Sequence, residues 1–357
     1  MGDRRRPPAS ELKLFEAVDR YLRRRAPDAT EKSLYGWRYR LKRFVEWAEG
    51  IGIEVVGDLR PADIDEYYEL RSADVAPATL EGEMWTLKMF LGFLEDIGAV
   101  EDDLSDAARI PDLDPDDRTN ETKLRTEAAL ALLQYYRNDD VAFGTRTHAF
   151  FELAWITGAR VGGLRALDVQ DVHLDEAYVM FRHRPETGTP LKNKSGGERP
   201  VGLPARTVEA LRKYQRTYRH GVTDDDGRAP FLASSRGRPG TNTMRNWSYE
   251  STLPCHHSAC PHEKSRDTCE WTNYHHTSKC PSSRSPHQIR TGTITWLLNL
   301  GWPPEDVAER VNATVKTIEQ HYDQADPSER RRRLIDRMED RRRPLVEDID
   351  NQIPDNA

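Results

Sequence analysis

The chain lacks both a long apolar run and an obvious export signal. No stretch approaches the ~20 consecutive apolar residues that a membrane-spanning helix needs. The first residues, 1–8, lack the apolar core of a secretory signal peptide. On these two absences we expect a soluble cytoplasmic protein without a membrane partner.

Lysine is also scarce, because the 53 basic residues comprise 11 lysines and 42 arginines. The 60 acidic residues bring the formal net charge to −7. Few lysines beside many Asp and Glu residues are typical of a salt-rich cytoplasm, where dissolved ions screen charges over a few ångströms. The net negative charge therefore does not exclude DNA as a partner, and the local placement of arginines is more informative.

The first part of the chain has the repeating apolar pattern of four helices. We predict a frayed terminus over residues 1–10, a four-helix bundle over 11–108 and a Pro- and Asp-rich linker over 109–122. Thr30 precedes the second helix, and Pro61 suits the first turn of the third. The predicted core positions are Leu12, Phe15, Val18 and Leu22, then Leu34, Trp37, Leu41, Phe44, Val45 and Ala48, and finally Leu80, Met84, Leu87, Phe90, Leu91 and Leu94.

The second part, residues 123–325, mixes helical and strand-like patterns. Helices are predicted at 127–137, 148–156, 286–300, 303–311 and 314–322, and short strands at 169–174, 178–181 and 199–203. The fold class is therefore mainly α, with an N-terminal helical bundle and an α+β domain that contains a small antiparallel sheet. A Cys- and His-rich insert occupies 254–281, and residues 326–357 form a charged tail.

Several residues of the second part suit phosphate-ester chemistry without a metal. His287 and Arg290 lie one helical turn apart, Tyr322 follows in Gln-His-Tyr, and Arg160 ends Thr-Gly-Ala-Arg. Two arginines can each hold a phosphate through paired hydrogen bonds. A tyrosine hydroxyl beside them can attack phosphorus and form a covalent ester. Singly, each residue is more often an ordinary surface residue, so their order and spacing carry the inference.

With this order of parts, the chain resembles the tyrosine recombinase (phage integrase) family. Thr157–Arg160 looks like the family's first arginine motif, Ser285–Arg290 like its His-x-Leu-Arg motif, and Gln320–Tyr322 like its nucleophile segment. Residues 280–287 look like integrases of halophilic archaea. The resemblance implies site-specific cleavage and rejoining of DNA through a 3′-phosphotyrosyl intermediate, with no cofactor for catalysis. It also implies a homotetramer on double-stranded DNA.

The same resemblance implies a role for each candidate residue. Tyr322 is the nucleophile, and Arg160 and Arg290 neutralise the charge that builds on the nonbridging oxygens. His287 donates to those oxygens or helps to deprotonate the phenol, whose ordinary pKa is near 10. Lys192 or Lys194 protonates the leaving 5′-oxygen, and their spacing does not choose between them.

Three positions depart from the family pattern. Gly163 stands where Glu or Asp is usual, Ala313 where a second His or Trp is usual, and Thr291 where His is frequent. Gly163 and Ala313 favour an alternative, a DNA-binding accessory protein that keeps the fold without efficient chemistry. A relaxing type IB topoisomerase uses related chemistry, but the N-terminal bundle argues against it. Among recombinases, a mobile-element integrase and a resolvase of chromosome dimers both stay open.

All four cysteines and five of the 11 histidines fall within the insert. A reducing cytoplasm disfavours disulfides, and thiolates and imidazoles are preferred ligands of Zn²⁺. We therefore predict a structural zinc site that rigidifies the loop before His287, the alternative being a loop with free thiols. The predicted ligands are Cys255, Cys260, Cys269 and Cys280, with His262 or His276 as substitutes.

Basic residues on the second and fourth helices are the predicted DNA contacts of the bundle. They are Arg38, Arg40, Lys42 and Arg43 on the second helix and Lys88 on the fourth. We expect the bundle to close over the duplex opposite the catalytic domain, with binding that weakens as salt rises. The alternative for this cluster is an ordinary solvated face.

Overall fold

Helices form most of the chain, and the described residues contain one sheet, of three short antiparallel strands. The computed structural model describes residues 8–114, 122–321 and 328–336. The chain divides into two units, Met1–Asn120 and Glu121–Ala357. The mainly helical fold class with a small antiparallel sheet is thus confirmed. No helix in the described ranges combines the length and the apolarity needed to cross a bilayer.

Four α-helices build the described part of the first unit. They are α1 (Leu14–Arg25), α2 (Glu31–Gly50), α3 (Pro61–Asp74) and α4 (Pro77–Asp96). α2 begins where the sequence predicts, because the Thr30 side chain accepts a hydrogen bond from the Ser33 amide and so caps the helix. Every apolar position predicted for the inner face of α4 is buried.

The buried face of α1 differs from the prediction. Phe15 is 52% exposed, whereas Leu14 and Tyr21 are buried. The ring of Tyr21 packs edge-on against Phe90, with 5.7 Å between the ring centroids. The predicted Val18 and Leu22 are buried, and Leu12, which precedes the helix, packs against the same core, so Phe15 is the position of this stripe that the prediction had wrong.

The second unit is arranged around α6, which is buried at every residue from His148 to Thr157. α6 packs against α8, α9 and α10. The helices of this unit are α5 (Thr126–Asn138), α6 (Arg146–Thr157), α7 (Val161–Ala166), α8 (Ala205–Lys213), α9 (Thr241–Ser251), α10 (Pro286–Asn299), α11 (Pro304–Val311), α12 (Val315–His321) and α13 (328–336). α6 is therefore the central helix of this unit, with α8, α9 and α10 packed against it.

The sheet contains two of the three predicted strands nearly as expected. Its strands are β1 (Val172–His173), β2 (Tyr178–Phe181) and β3 (Arg199–Gly202), paired in chain order. The strand predicted at 169–174 is largely wrong, because Val169–Asp171 forms a 3₁₀ turn. The Asp168 amide donates to the Asp171 carboxylate at 2.9 Å, and this local bond turns the chain before pairing begins.

Candidate active site

Three arginines from separate segments of the second unit converge on the carboxyl end of α11. Each donates a hydrogen bond to one of three consecutive main-chain carbonyl oxygens. The pairs are Arg199 Nε with Arg310 O at 2.7 Å, Arg290 Nη1 with Val311 O at 2.6 Å, and Arg160 Nη1 with Asn312 O at 2.6 Å. The last carbonyls of a helix lack intrahelical partners and lie at the negative end of its dipole, so they orient guanidinium groups. Arg160, Arg199 and Arg290 are named the arginine cluster below.

Gly158, the residue that ends α6, connects two members of the arginine cluster. Gly158 lies two residues before Arg160 in the chain, and its carbonyl accepts a hydrogen bond from Arg290 Nη1 at 2.6 Å. Gly158 has a φ of 57°, and a Cβ at this position would lie 2.9 Å from Val311 Cγ1. Glycine therefore serves both the left-handed turn and the close approach of α11.

α10 carries His287 and Arg290 in its first two turns. Ser285 caps this helix by accepting a hydrogen bond from the Gln288 amide at 3.4 Å, and Gln288 Oε1 accepts one from the Ser285 amide at 2.9 Å. His287 is exposed, whereas Arg290 is only 1% exposed. The capping box thus fixes the start of the helix that bears both side chains.

Arg199 belongs to the cluster although sequence reasoning missed it. Burial, together with the positive charges of Arg290, Arg160 and Arg310, lowers its pKa to about 10. Its guanidinium also stacks on the ring of Phe181, 4.5 Å from the centroid. At neutral pH this arginine is still protonated, so the cluster concentrates positive charge in a half-buried place, which favours binding of an anion. Little in the sequence indicated this role, because Arg199 is a single arginine at the start of a predicted strand.

Residues 191–194, named the lysine turn below, carry Lys192 and Lys194, which are both exposed. The Lys194 amide donates to Leu191 O at 3.1 Å, and Lys194 itself has a φ of 52°. Between the two lysines, Asn193 Nδ2 donates to Asn312 Oδ1 at 2.6 Å. The lysine turn is therefore attached to the same end of α11 as the arginine cluster.

The sequence that forms this site matches the model of a known protein family. The model of the phage integrase family matches residues 122–329. The chain belongs to the phage integrase family. It is 36% identical over 96 residues to tyrosine recombinase XerC of Neisseria meningitidis serogroup C, a stretch that covers 27% of this chain and 26% of that protein. The match therefore spans about a quarter of the length of the curated relatives.

Solved structures of integrases share the fold of this phage integrase family member. The Tn1549 transposon integrase in complex with a circular intermediate DNA has a TM-score of 0.61 and 16% sequence identity, covering 92% of this chain and 99% of that chain. A lambda integrase dimer bound to a COC′ core site has a TM-score of 0.58 and 14% identity, covering 90% and 77%. At these identities the likeness concerns the fold alone.

The predicted nucleophile of this integrase family member, Tyr322, lies outside the described residues. The three departures from the family pattern are each accommodated locally. A Cβ at Gly163 would lie 3.4 Å from Phe181 Cδ1, so the aromatic ring fills the space beside this glycine. Ala313 packs against the apolar cluster of α10 and α11, and Thr291 Oγ1 donates to His287 O at 3.1 Å.

All four cysteines line one cavity of about 10 Å³ and are free thiols. Burial raises the pKa of the Cys255 thiol; the nearby Arg266 acts in the opposite direction. In the part of the chain that the structure describes, no group of three or more His, Cys, Asp or Glu side chains is arranged to hold a metal ion. His262 and His276 are not among the residues that line the cavity. The four predicted ligands thus share a cavity without forming a coordination shell.

The cysteine segment leads directly into α10 through a dense set of hydrogen bonds. Ser283 Oγ donates to Cys280 O at 2.9 Å and to Thr277 O at 2.7 Å. Arg284 is anchored next. Its carbonyl accepts a hydrogen bond from Ser248 Oγ of α9 at 2.8 Å, and its amide donates to Oγ1 of Thr252, the residue that follows α9, at 2.7 Å. The start of α10 is therefore mechanically connected to the cysteine cavity.

The five basic residues predicted to contact DNA have two kinds of partner. Three form exposed ion pairs, Arg38 with Asp19 at 2.7 Å, Lys42 with Glu46 at 3.4 Å and Lys88 with Asp106 at 2.9 Å. Arg40 Nη1 donates to Thr86 Oγ1 at 3.0 Å, and Arg43 Nη2 donates to Tyr39 OH at 2.7 Å. Arg38 thus reaches toward α1 and Arg40 toward α4.

Proposed function

We propose that this protein is a site-specific DNA recombinase that cleaves and rejoins strands through a 3′-phosphotyrosyl intermediate at Tyr322. The observation that carries the proposal is the convergence of the arginine cluster and the lysine turn on the end of α11. Guanidinium forks match the oxygens of a phosphodiester, and a lysine can supply a proton to a leaving oxygen. Membership of the phage integrase family and the likeness to tyrosine recombinase XerC support the same reaction class.

The reaction begins when the phenol oxygen of Tyr322 attacks the scissile phosphorus and the bond from phosphorus to the 5′-oxygen breaks. An ordinary tyrosine is protonated at neutral pH, so its proton must leave, and His287 is the candidate base or donor to the phosphate. Lys192 or Lys194 protonates the departing 5′-oxygen. A different 5′-hydroxyl then attacks the phosphotyrosyl ester, so the bond energy is conserved and rejoining needs no ATP.

The arginine cluster supplies the electrostatic part of this mechanism. Negative charge builds on the nonbridging oxygens as the tyrosine oxygen approaches, and Arg160, Arg199 and Arg290 stabilise it. Their guanidiniums already donate to carbonyls of α11 and are held in place before substrate arrives. Charges that are oriented in advance need little reorganisation during the reaction, which is where such sites gain most of their rate.

A nicked suicide duplex tests the proposal. The short fragment on the 5′-hydroxyl side diffuses away after cleavage, so the phosphotyrosyl protein accumulates. Duplexes tiled over the DNA that flanks the protein's own gene serve as substrates. We expect a covalent protein–DNA adduct under denaturing conditions that Tyr322→Phe abolishes. Tyr218→Phe, a change at a 39% exposed tyrosine of the same unit, should keep it.

Other outcomes would point to other functions. An adduct that survives Tyr322→Phe would refute Tyr322 as the nucleophile. Sequence-specific DNA binding with no adduct from the unaltered protein would favour the accessory protein that Gly163 and Ala313 suggest. Relaxation of supercoiled plasmid without a defined site would favour a type IB topoisomerase.

For the first unit, we propose that α2 and α4 contact DNA, with Arg40 and Arg43 as the principal phosphate contacts. Both donate to neutral hydroxyl oxygens in the free protein, so binding a phosphate does not require them to leave a carboxylate. Arg38, Lys42 and Lys88 would exchange exposed carboxylate partners for phosphates, at little cost because exposed ion pairs are weak. Assembly as a tetramer on double-stranded DNA belongs to the same proposal.

We also propose that the four cysteines bind one structural Zn²⁺. A cavity of about 10 Å³ is of the size that holds a single water or ion, and four thiolates suit tetrahedral zinc. The thiols must lose their protons and close around the ion, so binding is expected to strengthen as pH rises.

Metal analysis of protein purified without chelators tests the zinc proposal. We expect one metal ion per chain, and a thiolate-to-metal absorption band when Co²⁺ replaces it. Cys260→Ser and Cys269→Ser should each remove the band, whereas His276→Asn should leave it unchanged. Protein that holds no zinc and gives no Co²⁺ band at any pH would establish the free-thiol loop instead.

A further inference from the structure

The end of α11 holds the arginine cluster and the lysine turn through one shared residue. The main-chain oxygen of Asn312 accepts a hydrogen bond from Arg160 Nη1 at 2.6 Å, and its side-chain Oδ1 accepts one from Asn193 Nδ2 at 2.6 Å. We propose that Asn312 is a positioning residue that fixes the lysine turn, and with it the proton donor for the leaving group, beside the arginine cluster. This inference rests on the strand-cleavage function proposed above.

The backbone of Asn312 does not by itself require an asparagine. It has a φ of 56° and a ψ of 64°, directly after the last residue of α11. Glycine adopts this left-handed conformation without strain and is the commonest residue at such helix ends. The side-chain amide therefore has a task separate from ending the helix, and that task is the bond to the lysine turn.

Two neighbouring glycines show how closely the Asn312 amide packs. A Cβ at Gly197 would lie 2.5 Å from Asn312 Nδ2, so an added methyl group must displace the amide. A Cβ at Gly196 would have nothing within 4 Å. The two glycines thus provide a matched pair of substitutions, of which only one disturbs the contact between Asn312 and Asn193.

The position of the lysine turn matters because the 5′-oxygen must gain a proton as its bond to phosphorus breaks. Lys192 and Lys194 flank Asn193, and a lysine has a long flexible side chain, so the place of its amine depends on the backbone of the turn. Proton transfer needs a heavy-atom distance of about 3 Å, and a displacement of about 1 Å can cost about 100-fold in rate. A sulfur leaving group needs no such proton, because a thiol is far more acidic than an alcohol.

Two suicide duplexes separate a proton-donor defect from other defects. One carries the ordinary oxygen at the 5′-bridging position of the scissile phosphate and the other carries sulfur. We expect Asn312→Gly, Asn193→Ala and Gly197→Ala each to slow adduct formation about 10- to 100-fold on the oxygen substrate. On the sulfur substrate, each of these variants should form the adduct at a near-normal rate. Gly196→Ala should be normal on both, and Arg160→Ala slow on both. Combining Asn193→Ala with Asn312→Gly should add nothing to the larger single effect.

The results can overturn the inference without touching the proposed function. Equal slowing of the Asn312→Gly protein on the two substrates would show that the arginine cluster or the fold is disturbed, not the proton donor. An unchanged rate on the oxygen substrate would show that the contact has no positioning role. If the unaltered protein forms no adduct with either duplex, the proposed strand cleavage itself is refuted, and the inference with it.

Discussion

Glu152 of α6 is fully buried and accepts four hydrogen bonds from three residues. Arg137 donates two of them at 2.7 and 3.0 Å, and Thr207 Oγ1 donates one at 2.8 Å. His148 Nε2 lies 3.2 Å from Glu152 Oε1 and carries the proton, because His148 Nδ1 accepts from the Gly144 amide. Burial acts to raise the pKa of Glu152, but the bonds from His148 and Arg137 hold it below the ordinary value of 4.5.

Glu152→Gln is expected to lower the free energy of unfolding of the second unit by about 2–4 kcal/mol at neutral pH. Glutamine keeps the shape but loses one acceptor oxygen and the charge opposite Arg137. Since the folded-state pKa is depressed, the stabilisation is present above pH 4.5 and is lost as the pH falls through the lower folded-state value.

Urea unfolding at a series of pH values tests this prediction. Below pH 4.5, the wild-type protein should lose more stability than Glu152→Gln does. Glu209→Gln is the matched control, because Glu209 forms only an exposed ion pair with Arg206. Equal stability of Glu152→Gln and wild-type protein at neutral pH would contradict the prediction.

Site residues differ in how far the sequence reveals them. Arg160, His287 and Arg290 stand in short motifs, so the pattern alone singles them out. Arg199 and Asn312 make their contacts across the fold, through bonds to residues 111 and 119 positions away. Their partners, a main-chain carbonyl for Arg199 and a side-chain amide for Asn312, come close only when the chain is folded. No local sequence pattern therefore marks Arg199 or Asn312 as site residues.

Among the elements, α10 has its backbone unusually close to the segment before α5. The Leu124 amide donates to Gln288 O at 3.0 Å. A Cβ at Gly292 would lie 2.1 Å from Leu124 O and 3.0 Å from Trp155 Cζ3. Because the first neighbour is a main-chain oxygen, only a shift of the backbone would make room for a side chain.

Gly292→Ala is therefore expected to destabilise the second unit by about 2–3 kcal/mol, although alanine normally favours a helix over glycine by about 1 kcal/mol. Gly162→Ala is the control, since Gly162 is also helical and its Cβ would have nothing within 4 Å. Urea unfolding followed by tryptophan fluorescence should show opposite signs for the two changes. If Gly292→Ala is as stable as wild type, α10 is free to move away from Leu124.

Long helices and two of the three strands were predictable, and several of the other short elements were not. α5, α6 and α10 begin and end within about two residues of the predicted positions. The six-residue α7 has too few turns to show a stripe, and α8 and α9 were also missed. At 169–171 the Asp171 carboxylate binds the Asp168 amide, and such a local bond overrides an alternating apolar pattern.

Across the whole molecule, the excess of arginine over lysine has a structural use. A guanidinium presents five N–H donors in a planar fork, so it can bridge carbonyls of different segments in a fixed geometry that an ammonium cannot hold. Arginines that donate to main-chain carbonyls in the second unit include Arg160, Arg165, Arg199, Arg284, Arg290 and Arg310. The high arginine content thus reflects hydrogen bonds inside the fold as well as the chemistry of the surface.

The way α11 holds its guanidiniums also governs which inherited changes the protein tolerates. At Arg310 and Val311 the acceptors are main-chain oxygens, so substitutions that keep the helix leave them in place. Inserting or deleting one residue in α11 would instead rotate its end by about 100° and displace every acceptor at once. We therefore expect selection to conserve the length of this eight-residue helix more strictly than its amino-acid sequence.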